Sequence, residues 1–175
     1  MSQIHTDGEG KTLLPAEMPH QVPFRHFCNL ILIADGDIEK TISGIKSDAP
    51  NLSAEQLKRL YERANCAKYW VEECAPPEFH FKLKGSGEEA ADLNETEKNA
   101  VRLLRDKVIA VIETFSDDKV CSAAIYQIAE EAGIESKGLF RAVYQALIGK
   151  DQGPRLASFL RSIEKDRLLG ILEKY

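Results

Sequence analysis

Long apolar runs are missing from this 175-residue chain. The longest, Phe27 to Ala34, falls well short of the ~20 residues a membrane-spanning helix requires. It has no cleavage pattern behind it, so no signal peptide is read and the cytoplasm is the expected compartment. Cysteine is sparse. Cys28, Cys66, Cys74 and Cys121 form no C-x-x-C pair, and no histidine stands at zinc-like spacing from two of them. No metal site is therefore expected, and these cysteines suit a reducing compartment without disulfides. Cys66 and Cys74, eight apart on one expected helix, read as small core residues. Also lacking are a glycine-rich phosphate loop, a G-x-S-x-G elbow, an H-E-x-x-H pair and a calcium loop. The GSG at 85–87 has neither the strand nor the helix of a nucleotide site, and the histidines are scattered over separate elements. Covalent chemistry by this segment alone is not expected, which leaves recognition.

What is present is helical periodicity. Pro23 opens a helix through "PFRHFCNLILIA", closed near Gly36, and Asp37 caps a short one through Lys46. Ser53 with Gln56 has the spacing of a capping box, in which each residue satisfies an orphan N–H of the other. Leu57, Leu60, Ala64, Ala67, Val71 and Cys74 then recur on one helical face until Pro76-Pro77 stops the helix. "EFHFKLK" alternates Phe79, Phe81 and Leu83, the pattern of a short strand or an extended strap. Asn94 with Glu97 repeats the capping arrangement before the stripe Val101, Leu104, Val108, Val111, Ile112, Phe115. Further helices end at Gly133, start at a Ser136 cap, and reopen at Pro154. The expectation is an all-α bundle or cage of seven to eight helices in two sub-bundles, with helices near 24–34, 53–74, 94–115, 119–132, 137–148, 154–164 and 166–173. Residues 1–20 read as an extended arm or linker, 21–84 as a first helical subdomain, 85–93 as a loop and 94–175 as the C-terminal subdomain.

Charge is uneven. The formal net charge is −5, yet residues 136–175 hold eight basic and four acidic side chains. Such a zone is either a solvated helical face or a surface for an anionic partner. It contains "YQALIGKDQGPRLASFL", where one helix ends at Gly149 and the next reopens at Gly153-Pro154. Glycine suits a helix C-terminus because it turns left-handed without steric cost, and proline suits a first helical position. Lys150, Gln152 and Arg155 crowd this link, more polar function than a connector needs.

Three stretches, "VPFRHFCNLILIA", "AKYWVEECAPPEFHFKL" and "FRAVYQALIGKDQGPRLASFLRSIEKDRLLGILEKY", resemble in that order the C-terminal anticodon-binding region of class I lysyl-tRNA synthetases. The most specific parts are W-x-x-x-x-A-P (Trp70, Ala75, Pro76) and L-x-G-x-x-x-G-P-R (Leu147, Gly149, Gly153, Pro154, Arg155). The terminal block is shared in outline with glutamyl-tRNA synthetases; the tryptophan and "PPEFHFKL" favour the lysine enzymes. The resemblance implies a helical cage that binds the anticodon stem-loop of a lysine tRNA, within an enzyme that joins lysine to that tRNA. The family's ATP-handling motifs are not present here, so ATP and magnesium are expected to serve a separate catalytic domain. This segment should need no cofactor and should be inactive alone. By comparison with the glutamate enzymes, Tyr144, Gly153, Pro154 and Leu156 stand at base-contacting positions, with Tyr144 where those enzymes can use arginine. Arg155 is the expected contact for an anion beside them. Lys150 belongs to the same RNA-facing link, Arg161 is a peripheral phosphate contact or a solvated charge, and Arg25 touches RNA backbone or caps its helix. Two other readings stay open: a glutamyl-type fragment, and a free-standing helical module that binds another protein.

Overall fold

The computed structural model describes residues 20–175. The arm expected over 1–20 lies outside the described residues except for His20. The elements are α1 (Phe24–Ile33), α2 (Ile38–Asp48), α3 (Ala54–Tyr69), α4 (Glu95–Lys107), α5 (Asp118–Glu131), α6 (Ser136–Ile148), α7 (Leu156–Arg161) and α8 (Lys165–Leu172). Among the described residues there is no strand, and the fold is all-α.

Two apolar cores form. In the first, α1 and α2 pack on α3 through Phe27, Ile31, Ile42, Leu60, Ala64, Ala67 and Val71. The Ser53–Gln56 capping box starts α3: the Gln56 N–H donates to Ser53 Oγ at 3.2 Å and the Ser53 N–H to Gln56 Oε1 at 2.9 Å. Trp70 anchors the far end, edge-on to Phe24 at 5.9 Å and to Phe79 at 5.1 Å. The second core is built from α4 to α8, with α6 as its spine. Leu139, Ala142, Val143, Tyr144, Ala146, Leu147 and Ile148 of α6 are all buried.

Four expectations are corrected. The helix expected over 53–74 ends as an α-helix at Tyr69 and finishes in one π-helical turn, Trp70–Cys74, where the Ala75 N–H reaches back to the Trp70 carbonyl at 2.8 Å. Pro76 pushes its predecessor out of helical geometry, and Ala75 is extended at φ −69, ψ 136. Cys66 and Cys74 are consequently exposed rather than core: the buried stripe runs Leu60, Ala64, Ala67, Val71, and both cysteines fall beside it. The helix expected over 94–115 breaks at Val108 into a tighter 3-10 segment, Ile109–Thr114, in which Val111 leaves helical geometry and faces solvent. Ser136 is the first residue of α6 and not its cap; Glu135 holds the cap position without a side-chain hydrogen bond.

The segment "EFHFKLK" leaves a turn at residues 77–79 and runs as an irregular strap between the cores. Phe79 packs with the first core, while Phe81 lies edge-on to Phe159 at 5.4 Å and Leu83 is buried in the second. Arg167 ties α8 to the end of α1, donating to the carbonyl of Ile33, a residue of the second core, at 2.8 Å and standing 3.6 Å from Asp35.

The Asn94–Glu97 capping box at α4 is a pH-sensitive element of the fold. The Glu97 carboxylate, buried, accepts from Arg141 at 2.6 Å and from the Asn94 N–H at 3.0 Å. The Arg141 hydrogen bond holds its carboxyl below the usual carboxylate range, against the opposing effect of burial. Since the folded value lies below the unfolded one, the stabilisation is complete above the unfolded value and is lost as pH falls through Glu97's own value. Glu97→Gln should cost about 1–2 kcal/mol at neutral pH. In denaturant titrations its deficit relative to wild type should vanish as the pH falls through that depressed value; a pH-independent deficit would point to packing alone.

Candidate nucleic-acid interface

The link between α6 and α7 begins where the sequence places it. Gly149 ends α6 in the left-handed region at φ +67, and its N–H reaches the Gln145 carbonyl at 3.3 Å. The restart differs from expectation. Pro154 precedes the helix and Arg155 is its N-cap, at φ −53 and ψ 120, with no side-chain cap hydrogen bond. With only six residues, α7 brings little macrodipole to the link, so the electrostatic weight falls on side chains.

Tyr144 sets the shape of the link from inside. The residue is 6% exposed, within the second core, its ring 6.3 Å from Phe159, while Phe140 instead packs on Tyr126. Its hydroxyl donates to the Pro154 carbonyl. Burial pushes that phenol up to about 12, so it remains a donor throughout the physiological range. Gly153 is required by this approach: a Cβ there would stand 2.7 and 2.8 Å from the Tyr144 ring and 3.2 Å from Ile148. Tyr144 therefore presents no open face for stacking on a base, and Leu156, 5% exposed, directs its side chain into the same core.

Two of the expected RNA-facing cations, Lys150 and Arg161, are engaged within the protein. Lys150 directs its ammonium to the carbonyls of Pro77, Glu78 and His80, tying the link to the strap. Arg161 donates to Asp118 Oδ1 and to the Phe115 carbonyl at 3.5 Å, joining α7 to α5. Arg141, Arg167 and Lys174 are likewise held by Glu97, by Ile33 and Asp35, and by the Glu88 carbonyl. Asp151 accepts from Gln145 Nε2 at 2.8 Å, and no ion pair joins it to Arg155 among the described residues.

Arg155 is exposed and its guanidinium makes no hydrogen bond or ion pair among the described residues, and Gln152 and Gly153 beside it are exposed too. Arg25 is exposed on α1 and belongs to the first core's surface, apart from the link's own network. Of the eight expected residues, the structure gathers Tyr144, Lys150, Gly153, Pro154, Arg155 and Leu156 at one place, with Tyr144 and Leu156 underneath as support. What the sequence did not announce is that the strap closes on the link. The Lys84 N–H donates to the Leu147 carbonyl at 2.8 Å, and Lys84 Cε lies 3.5 Å from where a Gly149 Cβ would stand. No local pattern announces a contact across some sixty residues.

The chain matches no protein-family model. It is similar to the lysine–tRNA ligase of Treponema pallidum, 38% identical over 166 residues covering 93% of this chain and 30% of that protein. The lysine–tRNA ligase of Borreliella burgdorferi is 32% identical over 158 residues, 90% of this chain and 29% of that protein. An archaeal relative, the lysine–tRNA ligase of Thermococcus kodakarensis, is 31% identical over 159 residues, 87% of this chain and 29% of that protein. The chain thus spans about 30% of the length of the curated relatives it matches.

The fit of Tyr144 against Gly153 can be tested by stability alone. Gly153→Ala should destabilise by about 1–3 kcal/mol, because the ring it strikes is held in the core. Tyr144→Phe should cost about 1 kcal/mol through loss of one hydrogen bond. Chemical denaturation of both variants checks the pair; a neutral Gly153→Ala would mean the link yields freely.

Proposed function

Since this chain belongs, along nine-tenths of its length, to the lysine–tRNA ligase family, we propose that it is the part of such an enzyme that recognises the anticodon loop of its tRNA. The whole enzyme would attach lysine to that tRNA at the expense of ATP. The relatives' names favour lysine over glutamate as the amino acid. Adenylation and transfer belong to a catalytic part outside these residues. Among the described residues no group of three or more His, Cys, Asp or Glu side chains is placed to hold a metal ion.

The observation that carries this reading is Arg155, an exposed and unengaged guanidinium on a link whose backbone is fixed from beneath by Tyr144. Bases of a loop are read when splayed out, by hydrogen bonds to their edges, and a rigid backbone presents its groups at little entropic cost. Exposed Gly149 and Gly153 leave the main chain open to close approach, and Gln152 supplies both a donor and an acceptor. Arg155 can take a phosphate or the edge of a guanine.

Arg155→Ala should weaken binding of a lysine-tRNA anticodon stem-loop roughly tenfold or more, with the larger loss at low salt. A phosphate contact predicts equal loss for any loop sequence; a base contact predicts the greatest loss for lysine anticodons. Unchanged affinity in fluorescence titrations would remove Arg155 from the site, and lost affinity with a collapsed melting transition would make its role structural. Lysine-dependent ATP–pyrophosphate exchange by the 175-residue chain should be absent; measurable exchange would overturn the assignment of catalysis elsewhere.

A further inference from the structure

The strap reaches the link from two directions. Lys150 closes on the carbonyls of residues 77, 78 and 80, and the Lys84 N–H closes on the end of α6. Between these ties the chain is neither helix nor strand, and burial alternates along it, with Leu83 buried and Lys82 exposed. Phe81 and Leu83 turn into the second core, which leaves Lys82 and Lys84 to the opposite side. Lys82 is exposed and Lys84 half-buried, its stem against Gly149 and its ammonium in no hydrogen bond or ion pair among the described residues. Both lysines line a groove of about 410 Å³ running toward α8.

The acidic groups of that groove are mostly engaged. Asp35 stands 3.6 Å from Arg167, and Glu88 Oε1 accepts from the Gly85 N–H at 2.8 Å. Asp166 also borders the groove. On the link side, the nearest acid, Asp151, is held by Gln145. Lys82, Lys84 and Arg155 thus differ from Lys150, Arg161 and Arg167, whose charges are occupied in holding the fold.

We propose that Lys82 and Lys84 form, beside the link, a phosphate-binding edge for the backbone of the same RNA strand whose bases the link reads. The inference rests on the RNA-reading role proposed above and adds to it a second element, distant in sequence. Lysine suits such an edge, because an ammonium on a flexible stem meets a phosphodiester as a point charge, with no demand on base identity. The strap supplies position and charge; the link supplies discrimination.

The test titrates the 175-residue chain with a fluorescent lysine-tRNA anticodon stem-loop across a salt series. Lys82→Ala and Lys84→Ala should each weaken binding roughly three- to tenfold at low salt. The double variant should reduce the slope of log K against log salt by about 1.4–1.8, the value for two lost phosphate contacts. A stem-loop with a scrambled anticodon should suffer the same loss, and Lys84→Arg should restore most of the affinity. Because Lys84 sits at the end of α6, melting curves accompany each variant; if Lys84→Ala alters the transition, Lys82→Ala, at an exposed position, decides the matter. An unchanged slope in the double variant, with Arg155→Ala still weakened, overturns this inference and leaves the RNA-reading role standing. A loss confined to the lysine anticodon overturns the phosphate assignment. No binding by the wild-type chain overturns both.

Discussion

The carbonyl of Leu147, at the buried end of α6, needs a donor once the helix stops, and the backbone N–H of Lys84 supplies it at 2.8 Å. A buried helix end left without partners costs far more than the net worth of one hydrogen bond. That requirement draws the strap across the second core. It also brings Gly149, Lys150 and Lys84 together, and it allows Lys150 to reach the carbonyls of the 77–80 turn. The link is therefore held on two sides: by the strap at its start, and by the Tyr144 hydroxyl on Pro154 near its end.

The fate of the basic side chains follows from the same packing. A net-basic stretch of sequence suggests a net-basic surface, but the two differ when cations face carbonyls and carboxylates within the fold. Arg141, Lys150, Arg161, Arg167 and Lys174 each hold an element in place. Of that stretch Lys137, Arg155 and Lys165 are left without a side-chain partner among the described residues, Arg155 standing on the link itself, and the strap lysines come from outside the stretch. The electrostatics of this end of the molecule is a product of the fold more than of the local composition.

Two cores of unequal size share this arrangement. The smaller is organised by aromatic contacts at Trp70, the larger by the buried face of α6. The single π-helical turn at Trp70–Cys74 is where one geometry gives way to the other, set by the proline pair that follows. It carries the chain into the strap, and the strap into the second core. A chemical detail of two adjacent prolines thereby fixes where the lysines of the strap emerge.

Much of the fold was legible from local chemistry. The two capping boxes, the glycine that ends α6 and the apolar stripes of α3 and α4 act within four residues of one another, the range over which a helix repeats. The terminal block carries the family resemblance in residues that lie close together along the chain, so it too is a local signal. Tertiary contacts decided the rest. Tyr144 reads equally as a base-stacking residue or a core one until Phe159 and Gly153 are seen on either side of its ring. Lys150 reads as an RNA contact until the strap is placed beneath it. Val111 belongs to an unbroken stripe until the backbone breaks at Val108. In each case the sequence determines the side chain and its helical neighbours, while its partner lies where only packing can bring it, because the energy of burying one α6 helix outweighs the preference of any single residue on it.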